Sequence, residues 1–204
     1  MRIVKIENSK HVQERVLVYL EEGDPLRITS HELLQFGLYQ GMDLSPAVVV
    51  QLQASGKRSE SRVKAARLAS GRMLSRKELM DRLERKGIDL DTAEETADWL
   101  EELGAVDDAA YAGVIARHYG GSYGPGRVRQ ELQKRGIPRE LWDDALAQLP
   151  DSAGTIDAFL QSKLKGKAPD RTTLKKLSDT LLRRGFSWQD IRPALNRLGE
   201  EIDE

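Results

Sequence analysis

The chain has 204 residues, of which 32% are charged, 5% are aromatic and none is cysteine. The absence of cysteine excludes a disulfide framework and a thiolate metal site. No segment has the long apolar run of a signal peptide or a membrane span, so we expect a soluble cytoplasmic protein. Many charged and few aromatic residues are typical of helices with aliphatic cores.

The net charge of −1 conceals two runs of opposite sign. Every charged residue in the segment 89–108 is acidic, whereas residues 163–184 contain eight basic and two acidic side chains. Each run is consistent with a solvated helix face. Together they would also give the molecule a directional field that orients it on a charged polymer or protein surface.

The first part of the chain has the pattern of β-structure. Residues 2–6 alternate between polar and apolar side chains, and Arg15–Leu20 is rich in β-branched residues. These segments predict a β-hairpin with a turn at residues 8–10, and residues 26–28 can add a short third strand. An isolated hairpin is marginally stable in water, so it must pack on helices.

Two short helices are predicted after the strands. Ser30 begins the first, and Ser45 followed by Pro46 caps the second, which covers residues 47–54. The sequence Gly-Lys-Arg-Ser at 56–59 then predicts the boundary between this N-terminal extension and a helical region. From residue 60 the apolar spacing is helical almost to the end of the chain.

The helical region is organised around three evenly spaced glycines. Gly87, Gly136 and Gly185 lie 49 residues apart, and we predict that each ends a helix in the left-handed conformation. Before the first glycine, Ser75 and Glu78 have the spacing of a capping box. Apolar residues also recur eight and four positions before each glycine and ten and thirteen after it: Leu79, Val128, Leu177; Leu83, Leu132, Leu181; Ala97, Leu146, Leu195; Leu100, Leu149 and Leu198.

A repeat of this length indicates stacked supersecondary units. Each unit is predicted to have a leading helix, a helix that ends at the glycine and a helix after it, which Asp91 starts in the first unit. Val63, Ala66, Arg67 and Ala69 predict a leading helix of small residues in the first unit. In the second leading helix, Tyr111, Val114 and Ile115 are predicted to face inward. Asp107 or Asp108 is the predicted cap of that second leading helix.

The predicted fold class is mainly α, with three tandem three-helix repeats in an elongated, curved array and a small N-terminal β-hairpin with short helices. The corresponding divisions are residues 1–58, 59–105, 106–150 and 151–204. Pro193 departs from the repeat, because a proline inside a helix lacks the N–H donor. We therefore expect the last helix either to start late or to bend there.

Recognisable enzyme motifs are absent. No phosphate-binding GxxxxGK[ST] loop or dinucleotide-binding GxGxxG motif is present. The glycine-rich segment 120–126 is favoured as a flexible interhelical loop over a hinge or a site where a partner approaches the backbone closely. We expect no catalytic residue, metal or cofactor, because the histidines are scattered and no cysteine accompanies them: His11, His31 and His118. The tryptophans are favoured as core residues: Trp99, Trp142 and Trp188.

The motifs, taken in their order along the chain, resemble the RecX family of bacterial RecA regulators. The segments that carry the resemblance in the repeats are 72–79 (RMLSRKEL), 83–87 (LERKG), 106–112 (VDDAAYA) with Arg117, 124–132 (GPGRVRQEL) and 135–137 (RGI). In the N-terminal part, residues 36–38 and 41–44 match best. The resemblance covers nearly the full chain and is looser in the third repeat.

The resemblance implies a mostly helical protein of three tandem three-helix repeats that binds along the groove of the RecA filament on single-stranded DNA. It also implies restraint of filament growth, ATP hydrolysis, strand exchange and the coprotease activity of RecA. The expected partners are therefore RecA protein and its filament, and direct contact with DNA stays open. We expect a monomer and no contact with membranes.

Basic residues near the second and third glycines are the predicted contacts with the RecA filament or with DNA. Arg127 and Arg129 are the strongest candidates, because cations at the start of a helix oppose its dipole and so suggest a role other than stability. The full set is Arg117, Arg127, Arg129, Lys134, Arg135, Lys163, Lys165, Lys167, Lys175, Lys176, Arg183 and Arg184.

Two other functions remain open on the sequence alone. The basic segment 163–184 also suits a nucleic-acid-binding helical-repeat module that acts without RecA. The repeat permits a helical scaffold for some other partner as well, because a fold does not fix a function. An enzyme is the last choice, since nothing indicates a pocket with paired acid and base residues.

Overall fold

The computed structural model describes residues 1–10, 12 and 14–200. The backbone forms two compact units, one of Met1–Arg72 with Leu79–Ala105 and one of Met73–Glu78 with Val106–Glu204. The described part of the chain contains ten α-helices, one 3-10 helix and three β-strands. The predicted fold class, mainly helical with a small N-terminal β-structure, is confirmed. No helix in these described ranges has the length and apolarity that crossing a bilayer requires.

The first unit begins with a three-stranded antiparallel sheet in the order β1-β2-β3. β1 is Ile3–Asn8, β2 is Arg15–Leu20 and β3 is Leu26–Thr29. Alternate side chains of β2 are buried in one apolar core with Leu52 of a following helix. The expected hairpin and third strand are both present, because a period of two places one face of the sheet on this core.

Helix α1, Ser30–Gln35, begins at an N-cap, Thr29, whose hydroxyl accepts from the amide of Glu32 at 3.2 Å. The carboxylate of Glu32 accepts from the Thr29 amide at 2.7 Å, which completes a capping box. Glu32 is only 4% exposed and also accepts hydrogen bonds from the hydroxyls of Ser55 and Ser59. A buried carboxylate therefore links α1 to the next helix.

Helix α2 is continuous from Pro46 to Gly71, so its predicted end at residue 54 is wrong. The predicted boundary at 56–59 falls inside this helix. Gly56 is not a break: a Cβ there would overlap the carbonyl oxygen of Arg27, so glycine permits the close approach of β3. The N-terminal cap is as predicted, with Ser45 accepting from the amide of Val48 at 3.3 Å.

The buried face of the second half of α2 consists of small side chains. Ser61 and Ala65 are fully buried, whereas Val63 is 42% exposed. The hydroxyl of Ser61 accepts from the hydroxyl of Thr96 at 2.8 Å, so a polar pair lies at this interface. The small side chains allow α2 and α4 to pack closely here.

The three repeats have the same order of helices. The leading helix is the second half of α2, then α5 (Asp108–Gly120) and α8 (Ser152–Leu164). The helix before the glycine is α3 (Arg76–Arg85), α6 (Pro125–Lys134) and α9 (Arg171–Arg183). The helix after the glycine is α4 (Leu90–Glu102), a 3-10 turn (Arg139–Leu141) followed by α7 (Trp142–Leu146), and α10 (Trp188–Glu200).

The helices after the glycines start differently from the prediction. Asp89, rather than Asp91, is the N-cap of α4, because its backbone is extended (φ −66°, ψ 156°) and its carboxylate accepts from the Thr92 amide. Helix α10 begins at Trp188, so it does not start late. Pro193 lies inside α10, where its missing N–H removes one intrahelical hydrogen bond.

Helix α5 of the second repeat is capped by Asp107, which accepts from the amide of Ala110 at 2.8 Å. Tyr111 and Ile115 are buried, whereas Val114 is 37% exposed, so its predicted inward orientation is wrong. Neighbouring residues of a helix point about 100° apart, and the packing selects Ile115 rather than Val114.

The apolar positions around the glycines form the cores of the repeats. Leu83, Leu132 and Leu181, which stand four residues before their glycines, are fully buried. The position nine residues after each glycine is also buried: Thr96, Ala145 and Ala194. The apolar pattern does not reveal this second position, because one of its members is polar and the other two are small.

Candidate partner-binding site

The three glycines end their helices with the same backbone. Gly87, Gly136 and Gly185 have φ of +80°, +69° and +86°. The amide of each glycine donates to the carbonyl three residues earlier, at 2.8, 3.0 and 2.9 Å. The next amide donates to the carbonyl five residues earlier, at 3.1, 3.0 and 3.2 Å, which gives the bond pair of a Schellman ending. We call the three segments 86–88, 135–137 and 184–186 the joints.

Within the second unit, the start of α3 covers the joint 135–137. The hydroxyl of the fully buried Ser75 donates to the carbonyl of Arg135. The guanidinium of Arg135 pairs with the carboxylate of Glu78 at 3.2 Å. A Cβ on Gly136 would lie 2.8 Å from the Cβ of Lys77. Glycine is therefore required here for its small size as well as for its backbone angle.

The start of α6 covers the joint 184–186 in a similar way. The amide of Gly124 donates to the carbonyl of Arg184, and the amide of Gly126 donates to that of Gly185, both at 2.9 Å. A Cβ on Gly185 would overlap the backbone nitrogen of Arg127. Residues 121–124 lie between α5 and α6, as expected of an interhelical loop. Gly124 and Gly126 in addition approach the backbone of the joint 184–186 closely.

Arg135 and Arg184, two of the predicted partner contacts, are held within the fold. Arg135 donates to the hydroxyl of Tyr111 at 2.6 Å. The guanidinium of Arg184 lies 4.4 Å from the centre of the Phe159 ring and donates to the carbonyl of Ser122 at 3.2 Å. Each ring belongs to the leading helix of the same repeat. The sequence does not reveal these contacts, because the rings stand at different distances, 25 and 26 residues, before their glycines.

Arg127 also has a structural contact that explains its place at a helix start. Its Nη2 forms an ion pair with Glu131 at 2.7 Å, and its Nη1 donates to Gln130 at 3.4 Å. Glu131 is only 4% exposed, so the pair neutralises a buried carboxylate. The unfavourable position of Arg127 in the helix dipole therefore needs no partner to explain it.

Three further candidates make single contacts. Arg117 donates to Gln148 at 3.1 Å, and Arg183 donates to Thr180 at 3.2 Å. The Nζ of Lys163 lies 5.9 Å from the centre of the Phe159 ring. These contacts are exposed and contribute little stability, so they leave the cations available to a partner.

The remaining six candidates are exposed, and their side chains make no ion pair or hydrogen bond with any described residue: Arg129, Lys134, Lys165, Lys167, Lys175 and Lys176. We call these six residues the free cations. Two lie on α6, two lie in the loop before α9, and two lie on α9 itself. On α9 the buried side chains of Leu177 and Leu181 fix the opposite face as the outward one.

The tryptophans have three different environments. The ring of Trp99 lies 5.0 Å from the guanidinium of Arg62, and Nε1 of Trp142 donates to the carbonyl of Ile137 at 3.0 Å. Trp188 is 52% exposed, so its predicted place in the core is wrong. It is the first residue of α10, before the buried face of that helix begins.

Several acidic residues of the segment 89–108 have structural roles at helix starts. Asp89 and Asp107 are N-caps, and Asp108 accepts from the amide of Arg76 at 2.9 Å. Hydrogen bonds from Thr92 lower the pKa of Asp89 below its usual value, so this carboxyl group is charged at neutral pH. A lowered pKa is the opposite of what a general acid requires.

A cavity of about 690 Å³ opens in the first unit between β3, α2 and α4. Its lining includes carboxylates and basic side chains, among them Arg27 and Glu60. A hydrogen bond from Lys64 lowers the pKa of Glu60, so this carboxyl is also charged at neutral pH. No group of three or more possible metal ligands occurs in the part of the chain that the structure describes, and His11 lies outside it.

Comparison with protein families gives two matches within the helical repeats. Residues 62–100 match the first three-helix domain of RecX. Residues 107–146 match the second three-helix domain of RecX. These ranges contain the first two glycines of the repeat.

Curated relatives match the chain over its length. A protein from Lactobacillus delbrueckii subsp. bulgaricus named Regulatory protein RecX is 32% identical, over 100% of this chain and 78% of the relative. A Bacillus licheniformis protein of the same name is 29% identical, over 99% of this chain and 79% of the relative.

Solved structures share the fold. A crystal structure described as regulatory protein RecX has a TM-score of 0.74 and 23% identity, over 96% of this chain and 98% of the other. A crystal structure of RecX from Lactobacillus salivarius has a TM-score of 0.64 and 25% identity, over 70% of this chain and 97% of the other.

Proposed function

The chain belongs to the RecX family, and from that membership we propose that it is a non-enzymatic regulator that binds RecA and its filament on single-stranded DNA. In this proposal it inhibits the recombinase, ATPase and coprotease activities of RecA. The proposed partner comes from the resemblance of the repeat motifs to RecA regulators. In this proposal the protein acts by binding alone, since the carboxyl groups of Asp89 and Asp107 accept hydrogen bonds as helix N-caps.

The proposal rests on one observation: some of the basic candidates form contacts within the fold, whereas the free cations do not. Lys134 is exposed and has no partner among the described residues, whereas the adjacent Arg135 bonds Tyr111 and Glu78. The same difference holds between Lys175 and Arg184. The six free cations, whose side chains form no ion pair or hydrogen bond with the described residues, are therefore available to a negatively charged partner.

The charge of the free cations sets the kind of contact that we propose. DNA phosphates and acidic side chains on a protein filament both attract exposed ammonium and guanidinium groups. Such groups steer association and are screened by salt. Binding to the filament is therefore expected to weaken as the ionic strength rises.

A direct test adds the purified chain to RecA on single-stranded DNA with ATP. The proposal predicts that amounts well below those of RecA slow both strand exchange and ATP hydrolysis. Unchanged rates at equimolar protein would contradict it. Repeating the assay across a salt series would show whether the inhibition depends on charge.

A second candidate function is a nucleic-acid-binding helical-repeat module that acts without RecA. The observation in its favour is that Lys165, Lys167, Lys175 and Lys176 lie within 12 residues of sequence in the third repeat. A close group of lysines suits contact with phosphates.

Fluorescence anisotropy with labelled single-stranded DNA, in the absence of RecA, distinguishes the two functions. Tight binding that falls steeply with salt supports the nucleic-acid module. Weak binding to DNA alone, together with inhibition of RecA, supports the regulator.

A further inference from the structure

Within the described residues, the joint 86–88 differs from the other two because no other segment covers it. Gly87 is exposed, and a Cβ built on it would meet no atom within 4 Å. Lys86 is also exposed, and no described residue outside its own helix end donates to its carbonyl. The equivalent carbonyls of Arg135 and Arg184 each accept a hydrogen bond from the start of a helix.

The two covered joints show what kind of structure such a joint binds. Each receives the first turn of an α-helix that is led by a small residue, Ser75 or Gly124. The small residue donates to the carbonyl before the glycine, from a hydroxyl in one case and an amide in the other. The following residues then pack on the glycine, where no Cβ is present. The joint therefore selects a helix start with a small donor at its N-cap.

At the joint 135–137 charge adds a second element to this recognition, which the joint 184–186 lacks because the first turn of α6 has no acidic residue. Arg135 pairs with Glu78, which stands three residues after the N-cap of the covering helix. Lys86 occupies the place of Arg135 in the joint 86–88, and it has no partner among the described residues. A helix start with an acidic residue in its first turn would supply that partner.

The helix starts that cover the two joints, at Ser75 and Gly124, stand 49 residues apart. The next position at this spacing does not fit the joint 86–88 of a second copy of the chain. Thr173 stands 49 residues after Gly124, but α9 begins earlier, at Arg171, with Asp170 as its N-cap. The amide of Thr173 donates to Asp170 at 2.7 Å, so it is not available to another carbonyl. A second copy of the chain therefore offers no small, free N-cap at this position.

We infer that the joint 86–88 is a docking site for the first turn of a helix on a partner protein. The partner helix begins with serine, threonine or glycine and carries an acidic residue in its first turn. The identity of that partner, a RecA protomer in the filament, rests on the proposed function. The geometry of the site rests on the two covered joints.

Gly87→Asn tests this docking without removing the helix end, because asparagine tolerates the left-handed conformation and its side chain occupies the space that a partner helix needs. Gly104→Asn is a matched control. Gly104 ends α4 with φ of +66° and the same pair of backbone bonds, and a Cβ there would also meet no atom within 4 Å. Melting temperatures establish that both variants fold.

The readout is the affinity for RecA filaments on single-stranded DNA. We expect Gly87→Asn to bind about tenfold or more weakly than wild type, and Gly104→Asn to bind like wild type. If the wild type binds the filament and Gly87→Asn binds it equally well, the docking site is overturned and the proposed function still stands. Absence of binding by the wild type overturns the proposed function and the docking together.

A photo-crosslink identifies the occupant and also decides the matter if Gly87→Asn fails to fold. Lys86 is replaced by p-benzoyl-phenylalanine, and the product formed on RecA filaments is mapped by mass spectrometry. A crosslink to a RecA peptide at the start of a helix supports the inference. A crosslink to a second copy of the chain, or to RecA only outside helix starts, overturns it.

Discussion

The joints 86–88 and 184–186 share a backbone conformation and differ in their surroundings. Gly87 and Gly185 have nearly the same φ, +80° and +86°, and make the same pair of hydrogen bonds. Only Gly185 is packed against another helix start, where the backbone of Arg127 occupies the space that a Cβ would need. The left-handed angle and the absence of a side chain are therefore separate requirements, although glycine meets both.

The largest expected effect separates these two requirements. In Gly185→Ala the new residue must adopt the left-handed angle and also displace the backbone of Arg127, so we expect a loss of about 3 kcal/mol or more in the free energy of unfolding. In Gly87→Ala only the angle is unfavourable, and the expected loss is about 1 kcal/mol. Urea unfolding of both variants measures the difference. Equal losses would contradict the comparison.

Ser75→Ala removes one of the hydrogen bonds that the start of α3 makes to the joint 135–137, and it leaves Gly136 unchanged. The variant loses the hydroxyl that accepts from the Glu78 amide at 3.0 Å, and it leaves the carbonyl of Arg135 without a buried donor. We expect a loss of about 2 kcal/mol. Thermal unfolding followed by circular dichroism measures it.

Ser45→Ala is the matched control for that variant. Ser45 caps α2 by accepting from the Val48 amide, but it covers no joint, so the expected loss is about 1 kcal/mol. If Ser75→Ala is no more destabilising than this control, then Ser75 acts only as a cap.

The N-terminal part of the first unit contains a buried carboxylate, that of Glu32, which links α1 to α2. Burial raises the pKa of Glu32, but hydrogen bonds from Ser55, Thr29 and Ser59 outweigh it, and the pKa lies below its usual value of 4.5. A lowered pKa stabilises the fold above the unfolded-state pKa, and this contribution is lost as the pH falls through the folded-state pKa. We expect Glu32→Gln to lose about 1.5 kcal/mol at neutral pH, with the gap to wild type narrowing below pH 4.5.

Unfolding free energies of wild type and Glu32→Gln across a pH series measure this gap. Glu22→Gln, at an exposed position of the same unit, is the control and should be as stable as wild type at neutral pH. A gap for Glu32→Gln that stays constant down to low pH would show that its carboxyl does not titrate as described.

The smallest effect on stability compares two neighbouring cations. Arg135→Ala removes the bonds to Tyr111 and Glu78 in a covered joint, and we expect a loss of about 1 kcal/mol. Lys134→Ala removes a free cation and is expected to change stability by less than about 0.5 kcal/mol. Denaturant unfolding of the two variants measures both losses. Equal losses in the free energy of unfolding would contradict the distinction between Arg135, which has contacts within the fold, and the free cation Lys134.

The sequence predicted the local features of the repeat well. The glycine ends and the apolar positions around them are set by residues close together in the chain, and the β2 segment Arg15–Leu20 follows from its own β-branched residues. The covering of the joints was not predictable, because Ser75 and Arg135 are 60 residues apart and no local pattern joins them.

Gly56 and the basic candidates illustrate the same limit of local sequence patterns. Gly56 has the character of a helix break in isolation, and only the nearby carbonyl of Arg27 shows why glycine stands there. The candidate site was predicted as a set of charges, and the sequence does not distinguish Arg184, which stacks on Phe159, from the free Lys175. Pairing of side chains depends on tertiary contacts.

The affinities of two charge-matched variants for RecA filaments decide whether the free cations bind the filament. Lys134→Gln with Lys176→Gln removes two free cations, and Arg67→Gln with Arg72→Gln removes the same charge from exposed positions of the first unit. We expect the first pair to weaken binding by about tenfold or more and the second pair to leave it nearly unchanged, at equal folded stability. Wild-type affinity in the first pair, or the same loss in both pairs, would contradict this expectation.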